Sequence, residues 1–419
     1  MNYSAFGTKF TAKSGIVDLM DDLGTALNEN PEMLFMGGGN PGRVPEIEDF
    51  FQSKLENIAN DEDKRHSLLG IYQSPQGEKE FREQLASYLK TQFNWQISSK
   101  NIAISNGSQS AFFLIYNMLA GEMPDGSKKT IHFPLAPEYI GYADAGLSDN
   151  FFTSTQPAIE EIDQHTFKYH VDFSQLTIDD SIAALSISRP TNPTGNVITD
   201  EEILHLNEIA KSANIPLIID GAYGLPFPNI LFTDAKPYWN ENIILALSLS
   251  KLGLPGIRTG IVVASEQFIQ DFTSANTIAN LACGNLGPAL TKDLFANNDI
   301  DKLTNIVKPF YQQKAQQAVN WFKSALGDLP FKIHKPEGAI FLWLWFEGLP
   351  ISSKELYQRL KAKGVLIIPG EDFFIGIDDH WQHKYECIRV SYAQDEKVVK
   401  AGIELIADEL TRLYHKENN

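Results

Sequence analysis

Residues 243–258, IILALSLSKLGLPGIR, form the stretch that decides the fold. The stretch opens with the continuous apolar run Ile243–Leu247 and ends in a polar turn that contains Lys251 and Arg258. Short uninterrupted apolar runs are typical of strands that are buried on both faces of a mainly parallel sheet. In such sheets ligands bind beyond the carboxyl ends of the strands. The polar turn is therefore the expected place for a functional site.

Further apolar runs of similar length recur between helical patterns from about residue 50 to residue 310. One helical pattern begins at Thr199, because a Thr or Asp cap is followed there by acidic residues in the first turn. This alternation of strands and helices predicts an α/β fold with a mostly parallel sheet between helices. The runs are Ile102–Ile104, Ile131–Phe133, Ile182–Ile187, Pro216–Ile219 and Ile261–Ala264.

The C-terminal part of the chain has a different order of elements. Its pattern predicts a smaller α+β domain over residues 310–419, which follows a large domain over residues 51–309 and an N-terminal segment over residues 1–50. The elements predicted after residue 305 are a long helix over about 306–326, a strand over Ala339–Phe346, a helix over about 353–363, a strand near 387–392 and a terminal helix.

Composition excludes several classes of partner. The formal net charge of −18 over 419 residues repels phosphate backbones and anionic lipid headgroups, so neither nucleic acid nor a membrane is an expected partner. No stretch approaches the roughly 20 apolar residues that span a bilayer, and the N-terminus has no signal-peptide pattern. The two cysteines, Cys283 and Cys387, form no paired motif, which fits a reducing compartment. We expect a soluble cytoplasmic protein.

Two of the predicted strand ends carry polar residues that suit ligand binding. The run ending at Ile104 leads into a Gly-Ser turn, Gly107 and Ser108, at the start of a helical pattern. Free N–H groups at a helix N-terminus bind phosphate, although a serine there can equally be a simple helix cap. The run over 216–219 ends in Asp220. A buried carboxylate is costly unless it is paired or bound to a ligand, and the alternative is a helix-capping acid.

The third polar strand end is the turn that follows the run Ile243–Leu247. Partial burial and a cationic neighbour would lower the pKa of Lys251 and free its amine as a nucleophile. Arg258 offers a planar guanidinium to a phosphate that Ser248 or Ser250 also contacts. A solvated lysine in a Gly/Pro loop is the alternative interpretation.

Two other motifs suggest functions that we reject. Residues 37–42 match G-x-G-x-x-G, but Pro41 and Pro45 do not allow the last glycine to begin a helix, as dinucleotide binding requires. His380 and His383 have the spacing of metal ligands, yet no third ligand stands near them in the sequence. We expect these two histidines to be solvated or structural, and we expect no metal site.

Taken together, the motifs identify a family. Their order along nearly the whole chain resembles that of the fold-type I pyridoxal-phosphate aminotransferases, with a mostly parallel seven-stranded sheet in the large domain. Three longer stretches, residues 133–146, 188–200 and 334–346, are similar to the valine–pyruvate aminotransferases of that family. The motifs are Asn192-Pro-Thr-Gly195, Asp220-x-Ala-Tyr223 and Ser248-x-Ser-Lys-x-Gly-x-Pro-Gly-x-Arg258.

The resemblance implies roles for individual residues around pyridoxal 5'-phosphate. Lys251 would carry the cofactor as a Schiff base and move a proton, and Asp220 would keep the ring nitrogen protonated so that the ring withdraws electrons. Asn192 and Tyr223 would bind the phenolic oxygen, with Tyr223 also counted as catalytic. The remaining cofactor contacts would be Tyr139 on the ring face, and Gly107, Ser108, Gln109, Ser248, Ser250 and Arg258 at the phosphate.

The same resemblance implies how substrate and partner are bound. Arg389 would hold the substrate α-carboxylate in a bidentate contact, together with the backbone N–H of Gly39. Asn192 and Tyr139 would also face the substrate. Tyr72 would reach the phosphate of a partner subunit, which implies a homodimer with shared active sites, and the N-terminal segment would cover the active site.

The predicted reaction is a ping-pong transfer of the amino group between L-valine and pyruvate. Family members that act on dicarboxylic acids often use a second arginine, and none occurs between Arg258 and Arg359. Only Arg43, in the N-terminal loop, could take that role. The apolar strand over 340–346 and the loop over 139–142 offer hydrophobic surface for a neutral side chain. The alternatives are a transaminase for another neutral or aromatic amino acid, a β-lyase, and a non-catalytic cofactor-binding regulator.

Overall fold

The computed structural model of the protein describes residues 1–12, 15–377 and 380–416. Within those residues the chain forms twelve α-helices. The longest, α10, contains Pro309, and its last turn leads into Gly327, where φ is +54°. The helices are α1 Ala5–Phe10, α2 Gly15–Glu29, α3 Pro45–Asn60, α4 Glu62–Gly70, α5 Lys79–Phe93, α6 Ser108–Leu119, α7 Asp200–Ser212, α8 Glu266–Asn280, α9 Leu286–Ala296, α10 Asp299–Leu326, α11 Ser353–Ala362 and α12 Glu396–Lys416.

The same residues form sixteen strands, most of them short. The strands are β1 Leu34–Phe35, β2 Ile102–Ser105, β3 Gly121–Glu122, β4 Lys128–Phe133, β5 Phe152–Ser154, β6 Ala158–Asp163, β7 Thr166–His170, β8 Ile182–Ser188, β9 Leu217–Asp220, β10 Ile243–Ser248, β11 Gly260–Val263, β12 Lys332–His334, β13 Phe341–Trp345, β14 Val365–Leu366, β15 Ile368–Pro369 and β16 Cys387–Ser391.

The larger sheet contains the apolar runs that define the fold. Its strand order is β2-β11-β10-β9-β8-β4-β3, and β5 pairs with β4 at the outer side. The pairs of β10 with β9, β9 with β8, β8 with β4 and β4 with β5 are parallel, whereas β11 is antiparallel to both of its neighbours. All six predicted apolar runs are strands of this sheet. The predicted mostly parallel seven-stranded sheet is confirmed, with the two-residue strand β3 as an eighth member.

The register of this sheet brings the polar strand ends to one edge. Ser188 at the end of β8 lies beside Asp220, and Asp220 lies beside Ala246 in β10. On the other side of β10, Gly260 lies between Ser248 and Ser105. Because these strands share a direction apart from β11, their carboxyl ends meet where ligands bind in α/β proteins.

The second sheet has six strands in the order β15-β16-β13-β12-β7-β6. Four of them come from the C-terminal part of the chain, whereas β6 and β7 come from residues 158–170. The proposed domain boundary between residues 309 and 310 falls within α10, so the division into domains stays a prediction. Among the described residues, no helix has both the length and the apolar character that would let it cross a membrane.

Candidate active site

The polar edge of the larger sheet opens into a cavity of about 540 Å³. The structure brings together at this cavity twelve of the fourteen site residues that the sequence predicted. They are Gly39, Ser108, Gln109, Tyr139, Asn192, Asp220, Tyr223, Ser248, Ser250, Lys251, Arg258 and Arg389.

One end of the cavity is an anion cradle at the start of α6. Gly107 is the N-cap residue, with φ at +89°, and no side chain caps the helix. A Cβ atom on Gly107 would lie 2.4 Å from Nη2 of Arg258, so the guanidinium lies directly against the helix N-terminus. Uncapped N–H groups, a helix dipole and a guanidinium form a site for a phosphate group. The alternative of a serine cap is wrong, because the cap position is a glycine.

The floor of the cavity holds a buried carboxylate, Asp220. Its Oδ1 accepts a hydrogen bond from the Ala222 N–H at 2.8 Å, and its Oδ2 accepts one from the Tyr142 hydroxyl at 2.5 Å. Burial raises the pKa of Asp220, and these two hydrogen bonds and the charge of Lys251 act against that rise. The carboxylate is therefore held by its neighbours while part of it faces the cavity.

Lys251 projects into the cavity from the turn that follows β10. Its Nζ donates a hydrogen bond to the Gly39 carbonyl at 2.5 Å and lies 5.1 Å from the centre of the Tyr223 ring. The pKa of Lys251 is lowered to about 8, first by burial and then by the positive charges of Arg389 and Arg258, and the negative charge of Asp220 opposes this shift. A substantial fraction of this amine is neutral near physiological pH, as a nucleophile or base requires.

Arg389 brings a second cation to the cavity from β16, in the other sheet. Its Nη1 donates to Oδ1 of Asn192 at 2.6 Å, and its Nη2 donates to the Gly37 carbonyl at 2.7 Å. The guanidinium lies 4.1 Å from the centre of the Phe341 ring, and its Nε is buried without a hydrogen-bond partner. Burial lowers the pKa of Arg389 to about 10. A fixed, dehydrated guanidinium of this kind suits bidentate binding of a carboxylate.

Three polar side chains complete the set that surrounds Lys251. Tyr223 is buried beside the Phe341 ring, and Tyr139 packs edge-on against Tyr142. The amide of Gln109 donates to the Gly141 carbonyl at 2.8 Å, which ties α6 to the loop that carries Tyr139. These contacts fix two aromatic faces at the cavity.

Tyr72 lies apart from the cavity of this chain. Its side chain is 84% exposed, and it borders a separate groove formed by residues 68–73 and 282–285. This position leaves Tyr72 accessible to another molecule, and its predicted contact with a partner subunit stays a prediction.

The structure gives other positions to the glycine-rich stretch over 37–42 and to His383 than the functions rejected above would require. Gly42 precedes α3 by three residues, and residues 37–40 instead line the cavity next to Lys251. His383 is buried, and its Nε2 shares a 2.5 Å hydrogen bond with the Tyr169 hydroxyl. No cluster of three or more metal-binding side chains occurs in the part of the chain that the structure describes. Arg43 is exposed and forms a bidentate ion pair with Glu48.

Apolar side chains also line the cavity, and we call this set the apolar wall. It consists of Leu23, Leu27, Phe35, Ile140 and Ile368. Ile140 lies in the loop over 139–142 that was expected to offer hydrophobic surface, whereas the other four residues were not predicted individually. The expected apolar strand over 340–346 does not line the cavity, because Phe341 packs against Arg389 and Tyr223. The spacing of Leu23 and Leu27 at i and i+4 could have indicated a helix face, but only the resemblance, which implies that residues 1–50 cover the active site, points to this segment.

Comparison with known proteins gives consistent matches over the full length of the chain. The family profile described as "Aminotransferase class I and II" matches residues 49–406. The valine–pyruvate aminotransferase of Escherichia coli K12 is 48% identical over 415 residues, which cover 99% of each chain.

Two solved structures are similar in sequence and in fold. A putative amino-acid aminotransferase from Psychrobacter arcticum 273-4 is 46% identical with a TM-score of 0.97, and the match covers 99% of each chain. The valine–pyruvate aminotransferase from Salmonella typhimurium LT2 is also 46% identical, with a TM-score of 0.88 over 96% of this chain and 100% of the other.

Proposed function

The chain belongs to the class I and II aminotransferases, and from that premise we propose that it transfers the amino group between L-valine and pyruvate, which gives 3-methyl-2-oxobutanoate and L-alanine. One observation carries the choice of substrate. The charged side chains among the described residues that line the cavity are Asp220, Lys251, Arg258 and Arg389, and the apolar wall lines the same cavity. After one guanidinium binds a phosphate and the other binds the α-carboxylate, no guanidinium of this lining remains for a second carboxylate, so the apolar wall favours a neutral substrate side chain.

The residues present fit the family's cofactor, pyridoxal 5'-phosphate. When bound, the cofactor supplies an electron-withdrawing ring that stabilises negative charge developing at the substrate Cα. The cradle at Gly107, Ser108 and Arg258 would hold its phosphate, and Asp220 would hold a proton on its ring nitrogen. Tyr139 would cover the ring face, Asn192 and Tyr223 would bind the phenolic oxygen, and Gln109, Ser248 and Ser250 would complete the phosphate contacts.

Lys251 is proposed to act as both the point of attachment and the base. About half of its amine is neutral at pH 8, so it can form the covalent link to the cofactor and, when released, remove the proton from the substrate Cα. The Tyr223 ring beneath Nζ and the Gly39 carbonyl restrict where this amine can lie. The residue would therefore deliver its proton along a short, fixed path.

Arg389 is proposed to orient the substrate. Its two terminal nitrogens are already aligned by Asn192 and the Gly37 carbonyl, so it needs little rearrangement to bind a carboxylate. Holding the carboxylate at one end and the side chain against the apolar wall at the other turns the Cα–H bond towards Lys251. This fixed orientation accounts for a large part of the rate acceleration in such sites.

The experiment that tests the proposal follows each half-reaction in the purified holoprotein by visible absorption. L-Valine is expected to convert the spectrum of the lysine-bound cofactor to that of its amino form, and pyruvate is expected to restore the first spectrum. An unchanged spectrum with valine, together with conversion by another amino acid, would retain the enzyme class and overturn the substrate.

Two variants make this test specific. Lys251→Ala should retain bound cofactor but lose the attachment that borohydride reduces to a permanent covalent bond, and it should lose the valine half-reaction. Lys90→Ala, at an exposed lysine on α5, should behave as the wild type. Wild-type turnover in Lys251→Ala would contradict the assignment of this residue.

We further propose that the enzyme is a cytoplasmic homodimer. Tyr72 stands beside the exposed apolar side chains of Leu69 and Ile71 at the groove beside α4, which supports a contact with a second copy. Cys283 and Cys387 are free buried thiols, which is consistent with a reducing compartment. Sedimentation of the holoprotein at twice the chain mass and its recovery in the cytosolic fraction are the expected results.

A further inference from the structure

The turn that carries Tyr139 also carries a second tyrosine with a different partner. Tyr142 lies in the same short turn, where its N–H donates to the Tyr139 carbonyl at 3.0 Å. Tyr139 lines the cavity, whereas Tyr142 does not, and the hydroxyl of Tyr142 reaches Asp220 from behind the lining. One turn therefore contacts both the cavity and the carboxylate at its floor.

The ring of Tyr142 is held in place on several sides. It is 1% exposed and stacks on Phe133, with an angle of 14° between the ring planes. Phe112 lies 4.9 Å away, and Tyr116 and Tyr139 approach edge-on at 5.3 Å and 5.2 Å. Because the interior is closely packed, this ring has no alternative position for its hydroxyl.

The Asp220 carboxylate is held at both of its oxygens. The Ala222 N–H binds Oδ1 and the Tyr142 hydroxyl binds Oδ2, so the two donors fix the plane of the group. A buried carboxylate needs such donors, because an unsatisfied charged oxygen is costly away from water. Of the two donors, the main-chain N–H is a fixed part of the turn, and the hydroxyl is the one that a substitution can remove.

We propose that Tyr142 is a positioning residue that keeps the Asp220 carboxylate ionised and oriented. The proton shared between Asp220 and the ring nitrogen of the bound cofactor therefore stays on the nitrogen. The inference rests on the cofactor named in the proposed function, but not on the choice of valine as substrate. Tyr142 acts through Asp220 and contacts neither the cavity nor the substrate.

Other ionisable groups surround Asp220 and set the sign of the effect. The positive charge of Lys251 favours the ionised carboxyl, whereas burial opposes it. Glu138 lies near Asp220, but burial raises the pKa of Glu138 to about 8, so most of it is uncharged at pH 7. Loss of the Tyr142 hydroxyl would make the carboxyl more basic, so that the shared proton would move from the ring nitrogen towards Asp220. The remaining ionisable neighbours are Tyr116, Tyr139 and Tyr223.

The test is the Tyr142→Phe variant, reconstituted with cofactor that is labelled with ¹⁵N at the ring nitrogen. We expect the ¹⁵N resonance to move from the protonated towards the unprotonated position, and the dissociation constant of the cofactor to rise about tenfold. The matched control is Tyr88→Phe. It removes a tyrosine hydroxyl that donates to a different carboxylate, Asp301, at 2.8 Å, and it should leave the resonance unchanged.

Each result has a definite meaning. A protonated ring nitrogen and wild-type cofactor affinity in Tyr142→Phe would overturn the inference, as would an equal shift in Tyr88→Phe. If Tyr142→Phe does not fold, the infrared difference between wild type and Asp220→Asn apoproteins decides, because the inference requires an ionised Asp220 at pH 7. Failure of the wild type to bind the cofactor would instead overturn the proposed function.

Discussion

The floor and the apolar wall of the cavity differ in how the chain builds them. The floor, comprising Ser188, Asp220, Ser248 and Lys251, lies at the carboxyl ends of adjacent strands and in the turn after β10. The apolar wall instead comes from α2, β1, the loop after β4 and β15, which are far apart in the sequence. The register of one sheet thus fixes the floor, whereas the wall depends on how several separate segments pack.

This difference suggests separate roles, in which the floor residues carry out the reaction and the wall residues select the substrate. Floor residues hold buried charges whose positions are fixed by hydrogen bonds, as in the contacts of Asp220. Wall residues make only non-directional contacts, which scale with buried area and tolerate changes of shape. Substitutions in the charged group should therefore act on the rate, and substitutions in the wall should act mainly on the selection among substrates.

The largest expected effect tests whether Arg389 orients the substrate carboxylate independently of the contacts that the apolar wall makes with the substrate side chain. Arg389→Lys keeps the positive charge but loses the planar guanidinium that binds Asn192 and the Gly37 carbonyl together. We expect kcat/KM for L-valine to fall about 100-fold, because a buried charge loses its paired geometry. Steady-state kinetics with L-valine and with L-alanine measure this, and both substrates should lose activity equally.

Arg359→Lys provides the matched control for that change. This arginine is partly exposed and pairs with Glu355 on the same helix, so kcat/KM should stay within about twofold of the wild type. If Arg389→Lys lost activity with L-valine but not with L-alanine, the guanidinium would have to contact the substrate side chain. The distinction between the charged group and the wall would then be wrong.

The second prediction uses the pH dependence of cofactor capture by the apoprotein. Only the neutral amine of Lys251 reacts, and burial lowers its pKa to about 8. The rate constant should therefore rise about tenfold per pH unit below pH 8 and level off above it. Stopped-flow absorption measures this rate, and a midpoint near that of an ordinary lysine, about 10.4, would contradict the environment described for Lys251.

The Asp220→Asn variant tests the direction in which Asp220 shifts the pKa of Lys251. The negative charge of Asp220 raises the pKa of Lys251, so its removal should lower the pKa and move the midpoint of capture to lower pH. A shift to higher pH would mean that Asp220 does not act on Lys251 through its charge.

The sequence predicted the floor of the cavity better than it predicted the apolar wall. Ser248, Asp220 and Lys251 could be located because each follows an apolar run, and parallel strands must present their carboxyl ends together. Leu23 and Ile368 of the wall could not be located, because they are ordinary apolar residues whose meeting depends on tertiary packing. Tyr142 was counted as hydrophobic surface, since its spacing from Asp220 along the chain carries no signal of their contact.

The elements of the fold also differ in how well the sequence predicted them. The six buried runs were identified because continuous apolar sequence suits a two-sided sheet. Strand β6 was missed because Ala158–Asp163 is mostly acidic and exposed, and it joins the second sheet only through β7. The predicted helix over 306–326 begins earlier, at Asp299, because acidic residues in its first turn suit a helix N-terminus.

The smallest expected effect concerns the wall itself. Leu27 is half-buried on α2 and lines the cavity, so Leu27→Ala removes apolar contact area without opening the core. The ratio of kcat/KM for L-valine to that for L-alanine should fall about tenfold or less, because a few methylene contacts contribute only ~1–3 kcal/mol to discrimination. Leu55→Ala, at an exposed leucine on α3, should leave the ratio unchanged. If Leu27→Ala instead lowered activity equally with both substrates, α2 would act in positioning the charged group, and wall and floor would form one functional unit.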